Sequence, residues 1–384
     1  CSPERFEMRV SASCTSEDIF VARQFAREVM RTGNIHTSAQ AFYGSGLESI
    51  ARLLANSSSL EVVEKAPVIL CFGLEDPYAL PVVEAHLRRA KDRGAKIIQV
   101  SPRKPAWADH LDVWLETQQA REMALVQKLV ELAVQEVQSP PEGAFETQAE
   151  YAAVARAVHL LHDPTPPAVI LGPTFLTHPD NLALLHSVEL LKEKRDAKVI
   201  ALPDQINLAG ALRLGLFSAG PAPDPSDLDV LYLIGEPVPQ FQTGRPFILY
   251  QNLYPPTGDL PVDLLLPMAA FTEEYGTYVN YAGRIQSIHP AVLPPYQVLP
   301  SWQILCRIAR RMGAQGFAYT CVEEIWQAAR VEFPSFPEMP PGVDGGFGLA
   351  LSKTAVQPDA FSQAQLGQPT YMGSPLARYV DGLC

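Results

Sequence analysis

The segment Phe271 to Gln286, FTEEYGTYVNYAGRIQ, gathers more hydrogen-bonding side chains at regular spacing than any other stretch of this chain. It follows an apolar run, Val262 to Leu266. Gly276 and Gly283 permit tight backbone paths, and Glu273, Asn280 and Arg284 are spaced to hydrogen-bond one another and the carbonyls between them. The expected product is an internally satisfied polar clamp. Three further polar loops follow apolar runs: Gly73 to Pro81 with Gly73 at its start, Ser101 to Pro105 with Arg103, and Pro203 to Gly215 with Asn207 and Gly210. In a parallel α/β sheet ligands bind beyond the carboxyl ends of the strands, so these four loops are where binding chemistry belongs. Asn207 also stands where an N-cap residue would precede the next helix.

Other chemistries find no such pattern. The 6 cysteines are scattered without a CxxC pair, and the 8 histidines form no cluster at metal or triad spacing. No metal ligand and no catalytic residue is therefore assigned. Cys71 and Cys306 lie in apolar or helical runs and read as buried thiols. Cys14, just after the first strand, is the thiol best placed for a ligand role. No nucleophile-elbow motif is present.

Composition narrows the class further. Across 384 residues, hydrophobic residues make up 47% and charged residues 19%, the values of a globular chain, and the length supports two lobes. The formal charge of −12, from 30 Lys+Arg against 42 Asp+Glu, with no segregated basic patch, argues against a nucleic-acid partner. No apolar run approaches the roughly 20 residues of a membrane helix, so no direct membrane insertion is expected. Unpaired thiols point to a reducing compartment. The chain opens at Cys1 without a signal-like apolar run, which reads as a piece of a longer polypeptide.

The elements that must position these loops alternate. A strand is expected over 5–11, then helices over 16–31 and 46–55. The strand PVILCF (67–72), the helix over 80–93 and the strand KIIQV (96–100) form a βαβ unit with Gly94 as the helix C-cap. A short strand near 113–116 and a helix over 121–138 close the first lobe. Strands over 168–172, 198–202, 229–235, 246–250 and 262–266, with helices over 181–194 and 301–312, build the second. The fold class is α/β, two doubly wound parallel-sheet lobes. The lobes are expected at residues 1–140 and 141–332, with an irregular Pro/Gly-rich tail over 333–384.

The run VDLLLPMAAFTEEYGTYVNYAGRIQ resembles the molybdopterin oxidoreductase-like domain of the large iron–sulfur subunit of respiratory complex I. The match rests on Asp263, Leu266, Pro267, Phe271, Glu273, Gly276, Thr277, Asn280, Gly283, Arg284 and Gln286, with Ala282 standing where an acid is usual. In the molybdopterin oxidoreductases the loop after strand PVILCF holds the pyranopterin dinucleotide; Gly73 and Pro81 are kept here, but Glu75 and Leu80 depart from the pattern. Arg103 matches an arginine that serves the nucleotide end, while Ser101 replaces the acid and Pro105 the threonine. Asn207 and Gly210 match an Asn-x-x-Gly feature.

From these losses the resemblance implies that Gly73, Arg103, Asn207, Gly210, Glu273, Asn280 and Arg284 are vestigial cofactor contacts. No cofactor is expected within this segment, and iron–sulfur clusters are expected in upstream or partner modules. The implied function is structural: an assembly domain of the NADH-quinone oxidoreductase peripheral arm, partnered by other peripheral-arm subunits of complex I. Such a chain is cytoplasmic and peripheral to the inner membrane through the complex. The alternative is a pterin- or nucleotide-binding component of a molybdopterin oxidoreductase, such as a formate dehydrogenase relative.

Overall fold

The computed structural model describes residues 1–74, 80–105, 107–118, 121–135, 145, 147–216, 227–241, 244–256, 260–296 and 298–334. The expectations at Glu75, over most of 136–144 and over the tail beyond 334 lie outside the described residues. In chain order the elements are β1 (Phe6–Val10), α1 (Ser16–Gln24), β2 (Ile35–His36), α2 (Ala39–Tyr43), α3 (Leu47–Ala55), β3 (Val68–Phe72), α4 (Pro81–Asp92), β4 (Lys96–Ser101) and β5 (Val113–Glu116). There follow α5 (Glu122–Val134), α6 (Gln148–Leu161), β6 (Ala168–Leu171), α7 (Pro173–Leu176), α8 (Asn181–Arg195), β7 (Lys198–Ala201) and α9 (Leu208–Arg213). The chain then runs β8 (Val230–Ile234), β9 (Phe247–Asn252), β10 (Leu264–Pro267), β11 (Gly276–Val279), β12 (Ile285–Ile288), α10 (Ser301–Arg311) and α11 (Val322–Glu332).

The strands sort into two five-stranded parallel sheets, as the alternation of apolar runs and helices requires. The lobes do not follow the linear division at residue 140. Among the described residues, Cys1–Phe42 and those from Gln205 onward form one unit, and those within Tyr43–Asp204 the other. The return of the chain to its first sheet is a long-range pairing: β8 lies beside β1, with Met8 opposite Tyr232. Apolar patterning cannot show it, because a strand buried on both faces carries no mark of its neighbour.

In the first unit the sheet order is β10-β9-β8-β1-β2. Met8, Val10, Leu231, Leu233 and Ile248 are buried in it. Order reverses between β1 and β8, which opens a crevice at their carboxyl ends. β11 and β12 form a separate antiparallel hairpin, Gly276 opposite Ile288 and Val279 opposite Ile285. That hairpin is the polar segment Phe271 to Gln286, whose alternation of tyrosine, threonine and valine favours strand. β2, α2, α6, α7, α11 and the hairpin are additions to the elements expected from sequence.

In the second unit the order is β5-β4-β3-β6-β7, with the reversal between β3 and β6. All five residues of β3 are buried, as are Ile97, Ile98 and Val169 through Leu171. α4 ends at Gly94 with φ +94°, and α8 ends at Asp196 with φ +51°, two left-handed stops that turn each helix back to its sheet. At the reversal two glycines meet. A Cβ on Gly172 would lie 2.2 Å from the Gly73 carbonyl oxygen, and one on Gly73, where φ is +64°, would lie 2.4 Å from Phe175 Cδ2.

Gly172→Ala is expected to lower the urea midpoint at unchanged slope by the equivalent of roughly 1–3 kcal/mol, because a rigid backbone atom blocks the methyl. Gly94→Ala, where the new methyl meets nothing within 4 Å, is expected to cost only the left-handed backbone term of about 1 kcal/mol.

Candidate functional site

At the carboxyl end of β1 the chain enters α1 through Thr15. The Thr15 side chain accepts the Asp18 backbone N–H at 3.2 Å and donates its hydroxyl to Asp18 Oδ2 at 2.8 Å. This is an ordinary N-cap. Its surroundings are not ordinary, because Thr15, Ser16, Glu17 and Asp18 are all buried. The covering element is β11. Glu17 accepts the Thr277 N–H at 2.8 Å and the Thr277 hydroxyl at 2.9 Å, and the Ser16 hydroxyl donates to the Thr277 carbonyl at 3.0 Å. Asp18 Oδ1 accepts the Trp302 N–H at the start of α10 at 2.7 Å. Gly276 makes the close approach feasible, since a Cβ there would lie 2.5 Å from Thr15 Cγ2.

Asn207 joins the same site from the start of α9. Its amide nitrogen donates to the Cys14 carbonyl at 2.8 Å and to Ser16 Oγ at 3.3 Å, while its oxygen accepts the Val279 N–H at 2.8 Å. The side chain is wholly buried and makes no cap bond to its own helix, so the N-cap reading of Asn207 is corrected. Gly210 explains the Asn-x-x-Gly spacing: a Cβ at Gly210 would lie 2.2 Å from Asn207 Oδ1. With glycine there, the amide folds over the first turn of α9 and reaches two other segments.

The expected clamp among Glu273, Asn280 and Arg284 does not form. Glu273 accepts the Ala270 N–H at 3.0 Å. Asn280 Oδ1 accepts the backbone N–H groups of Ala282 and Arg284, both at 3.0 Å, and so closes the β11–β12 turn upon itself. Arg284 is exposed. The hairpin satisfies its own turn through Asn280 and the Arg284 backbone, with no bond from Glu273 or from the Arg284 side chain to the others among the described residues. The residues that do hold the segment are Glu17, Ser16, Asn207 and Thr277. Glu17 and Asp18 were legible only as first-turn acids; their burial depends on β11 arriving from some 260 residues away.

The buried acids are perturbed accordingly. Burial, partly offset by the Thr277 hydrogen bonds, pushes Glu17 up to about 7. Burial also raises Asp18, and burial together with the charges of Asp18, Glu17 and Glu273 raises Glu274. The Cys14 thiol is pushed well up by burial and by Asp18, Glu274 and Glu236, so it stays protonated. Cys14 lies under Gly235, where a Cβ would meet its sulfur at 3.2 Å. A protonated, enclosed thiol is a poor metal ligand. Among the described residues no group of three His, Cys, Asp or Glu side chains could hold a metal ion.

The second unit offers different chemistry. Beyond β4, Ser101 donates its hydroxyl to the Arg103 carbonyl at 2.9 Å and accepts Trp114 Nε1 at 3.2 Å, which fixes the loop. Arg103 and Lys104 are exposed, with no ion-pair partner among the described residues. The β3/β6 reversal carries Gly73 and Gly172, positions without side chains at the strand ends. The seven residues expected to act together are therefore divided: Gly73 and Arg103 in this unit, Asn207, Gly210, Glu273, Asn280 and Arg284 in the other.

A family described as molybdopterin oxidoreductase matches residues 3–311. The chain belongs to that family. The F420-dependent formate dehydrogenase subunit alpha of Methanocaldococcus jannaschii is 25% identical, over 85% of this chain and 60% of the relative. The F420-dependent formate dehydrogenase 1 subunit alpha of Methanococcus maripaludis is 23% identical, over 87% and 61%. Formate dehydrogenase H of Escherichia coli is 22% identical, over 84% and 56%. This member of the family thus spans about three fifths of the length of these relatives. Among solved structures, acetylene hydratase from Pelobacter acetylenicus superposes with a TM-score of 0.62 at 12% identity, covering 88% of this chain and 59% of that one. The formyltransferase/hydrolase complex from Methylorubrum extorquens gives 0.57 at 14%, covering 80% and 91%. At such identities these two bear on the fold alone.

Membership corrects one expectation. The reading that no cofactor belongs to this segment is overturned, because the matched family is that of the molybdopterin oxidoreductases and its match covers most of the described residues. The residues present fit part of such a group. Arg103 and Lys104, exposed cations without an ion-pair partner among the described residues, suit its phosphates. The first unit's strand ends, with buried Glu17, Asp18, Glu236 and Glu274, do not suit an anion, and none of Cys14, Cys71 and Cys306 is an ionised thiol: burial raises all three.

Asn207→Ala is expected to lose roughly 2–4 kcal/mol of stability in denaturant titration, since it strands the Val279 N–H and the Cys14 carbonyl in a buried setting. Asn280→Ala, which disturbs only a partly exposed turn, is expected to lose about 1 kcal/mol.

Proposed function

We propose that this chain is the pterin- or nucleotide-binding component of a molybdopterin oxidoreductase related to the formate dehydrogenases. The observation that carries the proposal is the pair of exposed cations Arg103 and Lys104 at the β4 end, without an ion-pair partner among the described residues, on the sheet that carries the β3/β6 reversal. The named formate dehydrogenase relatives, each matched over more than four fifths of this chain, support the same reading. When bound, the cofactor supplies the redox chemistry. The chain's own part is to hold it. Arg103 and Lys104 take phosphate oxygens by charge-assisted hydrogen bonds, and Ser101 keeps the loop in place by bonding the Arg103 carbonyl. Gly73 and Gly172 let the strand ends pack closely, with Phe175 against Gly73. Iron–sulfur clusters belong, in this proposal, to upstream or partner modules.

The narrower reading, the large iron–sulfur polypeptide of a complex I peripheral arm with its fellow subunits and a cytoplasmic position against the inner membrane, rests on the Phe271–Gln286 resemblance. The relatives named above are formate dehydrogenases, so they favour the proposal over it. No helix among the described residues is long and apolar enough to cross a membrane.

The test is chemical analysis of the native polypeptide isolated with its partners. Stoichiometric molybdenum or tungsten together with a fluorescent oxidised pterin is the expected result. The double substitution Arg103→Ala with Lys104→Ala is expected to reduce retained pterin at least about tenfold, the loss of one or two charge-assisted hydrogen bonds. Native material with neither metal nor pterin overturns the proposal.

A further inference from the structure

Among the described residues, Glu274 is the one acid of the first unit's hairpin region that the site described above leaves without a task. It stands just before β11 and is only 6% exposed, and its Oε2 is buried with no hydrogen-bond partner. The groups that face it are acidic or neutral. From α1 come Glu17 and Asp18, and its own segment adds Glu273 and Tyr278. The loop before α1 adds the Cys14 thiol. α10 contributes a backbone N–H, from Trp302, and that is taken by Asp18. Among the described residues, no Lys or Arg is among the groups acting on Glu274.

We infer that Glu274 carries a proton in the folded chain and that this proton fastens the β11–β12 hairpin to α1, making the hairpin a pH-dependent latch. An ionised carboxylate beside Glu17 and Asp18, buried and unpaired, would face like charges in a poorly screened setting, and carboxyls sharing such a site cannot all ionise. Glu17 and Asp18 are each compensated, by Thr277 and by Thr15 and Trp302. Glu274 has no such donors among the described residues. The proton therefore resides there.

The geometry gives the latch its action. Glu274 lies two residues before Gly276, which needs its missing Cβ to pack on Thr15, and three before Thr277, which Glu17 grips. When Glu274 ionises, the least costly relief is to bring it to water. That withdraws the start of β11 and breaks the bonds to the Thr277 and Val279 N–H groups. The sign follows from linkage. Glu274 binds its proton more tightly docked than undocked, so the docked state is favoured below the ordinary carboxyl value of about 4.3 and loses ground steadily as pH rises toward the raised value. Glu17, raised to about 7, acts in the same direction over the lower part of that range. This inference does not depend on the proposed function: it concerns a segment of the first unit, and its test uses no cofactor.

The experiment is amide hydrogen exchange on the full chain, followed at Thr277 and Val279 and corrected for the intrinsic pH dependence of exchange. Protection at both amides is expected to fall by more than about a hundredfold between pH 6 and pH 8, as the Glu274 proton and part of the Glu17 proton are released on opening. In Glu274→Gln, which mimics the protonated acid, the fall is expected to shrink to about tenfold, the part that Glu17 supplies, with protection at pH 8 above that of the parent. A flat pH profile in the parent, or an unchanged slope in Glu274→Gln, overturns the latch. If the variant fails to fold, the infrared spectrum of the parent decides: the carbonyl stretch of a protonated acid must persist at pH 7.5 in buffer, and its absence overturns the inference.

Discussion

The amide of Asn207 is the bond on which the first unit's strand-end architecture depends. One side chain donates to the loop between β1 and α1, accepts from β11, and belongs to α9, so three segments remote in sequence share a single set of hydrogen bonds. A buried amide that satisfies its partners this fully fixes geometry, because any shift of one segment leaves a polar group of another unpaired in a dry setting. The neighbouring glycines are consequences. Gly210 leaves room for the amide, and Gly276 lets β11 come close enough to receive it.

Around that bond the first unit has adopted an acidic interior. Four carboxyls, Glu17, Asp18, Glu236 and Glu274, lie buried near the carboxyl ends of its strands. Three of them are used as acceptors for backbone N–H groups, at Thr277, Trp302 and Ser38. The N-terminal dipole of α1 helps to hold Glu17 and Asp18. Desolvation nevertheless wins over these favourable terms, so the acids stay raised. Such an interior is built for internal docking, and it repels the phosphates that the family's cofactor carries.

The second unit is arranged the opposite way. Its strand ends are closed by packing, Gly172 on Gly73 and Phe175 against Gly73, and its charged groups beyond β4 are left for solvent or ligand. Ser101 illustrates how a departure from a family pattern reads in structure. In place of an acid it supplies a hydroxyl that ties the loop to itself, and Arg103 has no carboxylate partner among the described residues.

The sequence by itself determined the class of fold and most of its strands. Buried parallel strands such as VILCF are uninterrupted apolar runs, and glycines such as Gly94 stop helices for reasons local to the backbone. It also singled out Asn207 with Gly210 and the hairpin of Phe271 to Gln286, since polar residues and glycines at fixed spacing stand out against an apolar background. What each of them does was decided only by tertiary structure. Asn207 reads as a helix cap until β11 is brought to it, and Glu273, Asn280 and Arg284 read as a clamp until the hairpin satisfies its own turn. Nothing in the sequence marks Glu17, Asp18 and Glu274 as acids that are buried together. The division into units was hidden for the same reason: the pairing of β1 with β8 joins residues more than two hundred positions apart, and hydrophobic periodicity records how deeply a strand is buried, with no record of which strand lies beside it.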